Sequence, residues 1–209
     1  MINTWPVFPL GTTYLPGDSV SLHVFEERYV RMCAVLEDSD GVFASVLIER
    51  GSEVGGNDKR SDVGVLIQID DLYKDDGRIL LIGHAEDVIT VIDWLDDDPY
   101  PQARCRRSPQ IQCDEDQRDA HFETLVDVLR RIGNTPSREL CDLIVTLAKE
   151  VGDTDLLLRE AFWATARLLP AGAQDRRTLL QSGDISSGIR SLAEMMTHYE
   201  ELTKFQKPL

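Results

Sequence analysis

A chain of 209 residues and 23.5 kDa holds one large domain or two small ones, and 42% hydrophobic with 28% charged residues is the composition of a globular protein, not of a disordered or collagen-like one. The charge is unbalanced, with 22 Lys+Arg against 37 Asp+Glu and a net −15 at pH 7. A surface that acidic repels nucleic-acid phosphates and anionic membranes alike.

The first half reads as β-structure with one helix. Val7 to Leu10 is a short apolar run, and Pro16-Gly17 suits a type II turn, with proline at its second and glycine at its third position. Ser19 to Val24 alternates with period two, as a half-buried strand does. In Glu26 to Glu37, Tyr29, Met32, Cys33 and Leu36 fall on one face of a helix. Phe25 just before it reads as a hydrophobic staple, Glu26 as a carboxylate favoured by the helix dipole, and Arg28 as a tie to neighbouring backbone. Phe43 to Ile48 and Val63 to Ile69 are further strands, separated by a polar, glycine-rich loop at Gly51–Asp62. A hairpin turn at Asp75-Asp76-Gly77 joins Leu72-Tyr73 to Arg78–Ile82, and Asp87–Leu95 and Pro101–Arg107 complete the set. Short strands at this spacing predict a barrel or sandwich-like sheet.

Beyond Ser108-Pro109 the period becomes helical, which puts a boundary at 108–114 and two domains at 1–112 and 113–209. Phe122, Leu125, Val126, Leu129 and Ile132 make one stripe, ending at Gly133. Thr135-Pro136 reads as a cap followed by proline at the first helical position. Leu140, Leu143, Ile144, Leu147 and Val151 make a second stripe, ending at Gly152. A third helix spans about Asp155–Leu169, Arg176–Gln181 is a short turn, and Ile185, Ile189, Leu192, Met196 and Tyr199 lie on a last helix. The fold class is therefore α+β, a β-domain followed by a helical bundle. The halves also differ in charge. Residues 1–105 carry 8 basic and 20 acidic side chains, a net −12, and the remainder a net −3.

The catalytic and metal-binding signatures are missing. There is no GxxxxGK[ST] loop, no GxSxG elbow, no HExxH and no CxxC. Cys33, Cys105, Cys113 and Cys141 are scattered and make no disulfide framework, Cys33 and Cys141 on helices read as buried thiols, and the setting as a reducing cytoplasm. The acidic runs, such as Asp70-Asp71 and Asp96-Asp97-Asp98, lack the oxygen-ligand spacing of a calcium loop and read as solvated turns. The start has no signal peptide, and no apolar run approaches the ~18 residues of a membrane span. No catalytic residue, cofactor or metal is assigned.

One region is distinctive: Pro6-Val7-Phe8-Pro9-Leu10, Leu15-Pro16-Gly17 and Leu22-His23-Val24-Phe25-Glu26-Glu27-Arg28-Tyr29. It resembles the opening of the N-terminal domain of Lon proteases. Asp62-Val63-Gly64, Asp76-Gly77-Arg78, Gly83 and Asp98-Pro99-Tyr100 are similar to later landmarks of that domain, as are Leu168-Leu169-Pro170 and Arg177–Leu180 in the helical half. Two places depart from the pattern: His84-Ala85 follows Gly83 where the family has Arg-Phe, and Gly188-Ile189-Arg190 replaces Glu-Arg-Leu.

The resemblance implies a stand-alone Lon substrate-binding domain, a PUA-like β-fold followed by a helical bundle, without the ATPase and protease modules. It implies a non-catalytic recognition module with a polypeptide or protein partner, active in proteolysis or quality control, with self-association left open. Candidate recognition and motif residues are Phe8, Pro9, Leu10, Leu15, Pro16, Gly17, His23, Glu26, Arg28, Tyr29, Gly64 and Trp94. A strand-rich domain can add an extended peptide at an open edge, and an acidic rim favours basic segments. Two alternatives stand beside this: RNA binding through Arg104, Arg106 and Arg107, and small-molecule chemistry in a cleft between the halves.

Overall fold

The computed structural model describes residues 1–51, 58–108, 115–150 and 154–205, and leaves out the side chains of 115, 148–150, 154 and 204–205. Residues 52–57 of the glycine-rich loop, 109–114 of the expected boundary, Cys113 among them, and the helix stop at Val151-Gly152 lie outside the described residues, while Lys59–Asp62, expected in that loop, are strand. The chain divides into two compact units, Met1–Pro109 and Gln110–Leu209.

The first unit contains β1 (Ile2–Leu10), β2 (Ser19–Val24), α1 (Glu27–Glu37), β3 (Val42–Arg50), β4 (Lys59–Asp75), β5 (Arg78–Trp94) and β6 (Gln102–Arg107). The sheet order is β2-β5-β4-β3-β1-β6, and β5 also pairs with β6. That extra pairing closes β5, β4, β3, β1 and β6 into a five-stranded barrel. Its interior is filled by alternate residues of each strand, among them Trp5, Val7, Ala44, Val46, Leu66, Ile89, Ala103 and Cys105.

Two strands are longer than their sequence suggests. The runs Val63–Ile69 and Leu72-Tyr73 are one 17-residue strand, β4, and Arg78–Ile82 and Asp87–Leu95 are one 17-residue strand, β5. Their register shifts between Val65 and Ile67 and again between Ile69 and Asp71, and such irregularities break the period-two pattern that marks a strand in sequence. The two strands meet at Asp76-Gly77, both with positive φ (43° and 75°), as a type I′ turn requires. Past the barrel, β4 and β5 continue as a ribbon, and β2 joins the outer side of β5 from Ser19↔His84 to Val24↔Ile79.

The helix α1 buries Tyr29, Met32, Cys33 and Leu36, as its spacing requires. Phe25 does not staple it, being 61% exposed. The Pro16-Gly17 turn is present: Asp18 N donates to Leu15 O at 2.9 Å, and Gly17 has φ 82°. The Asp18 carboxylate in turn accepts Leu15 N–H at 2.8 Å.

The second unit is α-helical: a 3₁₀ turn at Glu115–Gln117, then α2 (Arg118–Ile132), α3 (Thr135–Glu150), α4 (Thr154–Leu168), α5 (Ala173–Leu180) and α6 (Ile185–Phe205). α2 packs against α3, α4 and α6. Arg131 joins α2 to α6 through Glu200 at 2.8 Å, and Arg118 joins α2 to α4 through Asp155 at 2.6 Å. α3 starts one residue earlier than a Thr135 cap would have it, since Asn134 Oδ1 accepts Ser137 N–H at 2.9 Å. Leu143, placed on the apolar stripe, is 52% exposed. Gly188 has a reason in this chain: a Cβ there would come 2.9 Å from the Phe162 ring.

Glycine at 64 is enforced by the barrel itself. A Cβ at Gly64 would sit 2.1 Å from the backbone oxygen of Ser45 on β3. Gly77 has open space around it and is held only by its positive φ. Gly64→Ala is therefore expected to cost about 3 kcal/mol, against about 1 kcal/mol for Gly77→Ala, in urea unfolding. The reverse order would show that β3 and β4 do not approach as described.

Candidate functional site

The motif residues build two different places. The first is a cluster of buried aromatic rings and half-buried ions. Phe8 on β1 lies flat against Tyr29 on α1, with ring centroids 3.9 Å apart and planes 11° from parallel. The Arg28 guanidinium stands 4.5 Å from the Tyr29 centroid and donates from Nε to Glu26 at 3.1 Å. Burial pushes the Tyr29 hydroxyl up to about 12, the nearby Arg28 charge opposing this, so it stays a neutral donor. These contacts fasten α1 to the barrel. Pro9 and Leu10 are buried beside β3, opposite Val46 and Leu47, past the end of the β1–β6 pairing, where a proline's missing donor is tolerated. Leu15 is fully buried, while Pro16 and Gly17 form the turn that aims β2.

Trp94 belongs to the same neighbourhood through Arg60, which the sequence did not single out. Arg60 lies 4.8 Å over the Trp94 ring, donates to Asp58 at 2.8 Å and to Asp97 at 3.0 Å, and is 10% exposed. The hydrogen bond to Asp97 holds the guanidinium above its ordinary range against the effect of burial. Burial pushes the Asp58 carboxyl up, but hydrogen bonds from Arg60 and its own backbone, with the Arg60 and Arg28 charges, outweigh this and hold it below the usual carboxylate range.

The second place is on the outside of the ribbon. Across β2, β5 and β4 the register sets His23, Leu80 and Tyr73 side by side, and Arg78 beside Asp75 in the next row of that face. Phe25 continues from β2 toward the same end. Together with Val24 and Ile79 these residues line an open cleft of about 680 Å³. Phe25 is 61% and Tyr73 57% exposed, an unusual display for two large aromatics. Asp71 hydrogen-bonds the Tyr73 hydroxyl and raises its pKa. Arg78 has no acidic partner within ion-pair distance among the described residues.

Of the candidate residues only His23 lines this cleft. Phe8, Pro9, Leu10, Leu15, Tyr29 and Gly64 are buried, and Glu26, Arg28, Pro16 and Trp94 are half-buried. Phe25, which reads in sequence as a staple, and Tyr73, Leu80 and Arg78 are not among the candidate residues. A signal existed: in Ser19–Phe25, Val20, Leu22 and Val24 share the inward phase, which leaves Phe25 in the outward phase with Ser21 and His23. Among the described residues no group of three His, Cys, Asp or Glu side chains is placed to hold a metal ion.

Arg60→Met leaves Asp58 buried without its guanidinium, and is expected to cost about 3 kcal/mol. The folded Asp58 pKa lies below the unfolded one, so its stabilisation is present above about pH 4 and lost as pH falls through the folded value. Unfolding measured between about pH 6 and 3 should show a smaller loss in the variant than in the wild type. An equal acid sensitivity in both would contradict the role given to this pair.

The model of the ATP-dependent protease La (LON) substrate-binding domain matches residues 4–198. Among solved structures, the Lon N-terminal domain protein from Xanthomonas campestris is 22% identical and superposes with a TM-score of 0.58, over 93% of this chain and 98% of that one. The N-terminal domain of Mycobacterium avium complex Lon protease is 16% identical, with a TM-score of 0.62 and the same coverage. At these identities the structures speak to the fold, a mixed α+β architecture. Comparison with curated proteins gave no match. With the family model spanning both the barrel and the bundle, the chain belongs to the Lon substrate-binding domain family.

Proposed function

We propose that this chain is a non-catalytic polypeptide-recognition module, an adaptor that holds unfolded or extended segments, and that its recognition surface is the outer face of the β2–β5–β4 ribbon. The observation that carries this reading is the exposed pair Phe25 and Tyr73 flanking an open cleft. Exposed aromatics beside a concave, partly apolar surface are what a polypeptide-binding patch offers. In the same reading residues 1–112 form the recognising domain and 113–209 a supporting helical one. The buried motif residues Phe8 and Tyr29 then act indirectly, by holding α1 beneath the ribbon, and Pro16-Gly17 by directing β2.

RNA is the weaker alternative on electrostatic grounds. Two of the three arginines of its basic cluster are already engaged, Arg104 with Asp93 at 3.2 Å and Arg107 with Asp87 at 2.5 Å. A cytoplasmic setting fits the thiols: Cys33, Cys105 and Cys141 are free and buried, and burial raises Cys33 and Cys105 to about 11, where they are inert. No described helix is long and apolar enough to cross a membrane.

The test is binding to an unfolded casein. Phe25→Ala with Tyr73→Ala should weaken binding about tenfold while leaving the unfolding midpoint nearly unchanged, because both side chains are exposed. Unaltered binding in the double variant would remove the cleft from the reading. Casein incubated with the chain and ATP should stay intact, and its cleavage would overturn the non-catalytic assignment.

A further inference from the structure

The strand β2 ends the sheet order, paired on one side to β5 and on the other to no strand among the described residues. Exposed edge strands are normally blunted by lysine, other charges, proline or a bulge. None of these is present here. Ser19-Val20-Ser21-Leu22-His23-Val24 contains no Asp, Glu, Lys, Arg or Pro, although residues 1–105 carry a net −12. The β2–β5 register runs from Ser19 to Val24 without a shift. Ser19, Ser21 and His23 are exposed, and in an antiparallel pair every second residue turns its N–H and C=O away from its partner. The open side of β2 is thus a row of main-chain donors and acceptors about 20 Å long.

What lies beside that row selects the occupant. A strand added to β2 stands alternate side chains beside His23 and Phe25, on the same side of the sheet as Leu80 and Tyr73. That face is acidic, with Asp71 and Asp75 on it and Asp76 in the turn, while the nearby Lys74 is engaged by Glu37 and His84 by Asp70. Arg78 is the fixed cation on it. Exposed aromatic rings on a face with a surplus of carboxylates attract arginine and lysine by charge and by contact with the ring face, and accept apolar side chains by burial.

We propose that β2 receives an extended polypeptide segment by strand addition, and that the preferred segment alternates apolar with basic side chains. This rests on the polypeptide-recognition reading above and specifies how the segment is held and which sequences are chosen.

The test uses the intact chain and a synthetic ten-residue peptide of alternating valine and arginine. Two backbone-methylated versions carry N-methyl groups on one alternate set of amides or on the other. A strand added to an edge has one bonded side and one open side, so one methylation pattern should lose about tenfold or more in affinity and the other should be tolerated. Replacing the arginines by glutamate should also lose about tenfold, and raising salt from about 0.05 to 0.5 M should weaken the arginine peptide. Hydrogen exchange at Ser19–Val24 should slow when the peptide is bound.

Equal tolerance of both methylation patterns, or no slowing in β2, with casein binding still lost in the Phe25/Tyr73 variant, would overturn strand addition and keep polypeptide recognition. Binding of neither the peptide nor casein would overturn both. A dimer that protects β2 without peptide would show that a second copy of this chain, not a basic segment, occupies the edge, and would overturn the proposal.

Discussion

The β4–β5 hairpin runs 17 residues in each strand, about 55 Å of extended chain, while the partners that close the barrel are only six to nine residues long. β3 pairs with β4 from Lys59 to Gln68, and β6 pairs with β5 from Ile89 to Trp94. What remains of both strands must leave the barrel as a ribbon. A two-stranded ribbon is marginal by itself. It is steadied by β2 along one side and by α1, whose Glu37 reaches Lys74. The buried motif residues serve this arrangement. Tyr29 stacked on Phe8 fixes the helix, and Gly64 lets β3 and β4 come close enough to begin the ribbon in register.

The acidic excess is organised rather than diffuse. Most cations of the first unit are tied to a carboxylate: Arg28 to Glu26, Arg31 to Glu27, Lys59 to Glu49, Arg60 to Asp58 and Asp97, Arg104 to Asp93 and Arg107 to Asp87. Each exposed pair is worth little to stability, but together they cancel the positive charge locally and leave the surplus carboxylates to set the field. Arg60 differs because its side chain is only 10% exposed and that of Asp58 3%, and there the pair has structural consequence.

The elements were legible where local pattern and tertiary environment agree. Ser19–Val24 alternates because one face packs and the other does not, and α1 shows its stripe because one side meets the barrel. The length of β4 and β5 was not legible, because register shifts interrupt the alternation and the Gly83 region reads as a break. Gly83 is in fact a close approach, with its Cβ position 2.4 Å from Gln68 O. The site was legible only in part. Motif residues are easily seen because many packing constraints meet on them, and for that same reason most of them are buried. Phe25 shows the converse: adjacent to a helix start it imitates a staple, and only the phase of β2 turns it outward.

An uncharged open edge is a hazard in a protein at high concentration, because it templates its own kind. The surrounding charge changes which partner it can meet. Two copies that approach edge to edge both carry the surplus of carboxylates, Asp71, Asp75 and Asp76 among them, and that like charge slows their encounter, most of all at low salt. A basic segment meets the same field with the opposite sign and is drawn in. The acidic surroundings therefore do for β2 what a lysine on the strand would do elsewhere, but selectively: they oppose self-pairing without blocking the backbone groups. A blunting residue on β2 itself would remove the hazard and the binding capacity together, whereas carboxylates on β4, two strands in from the edge, separate the two.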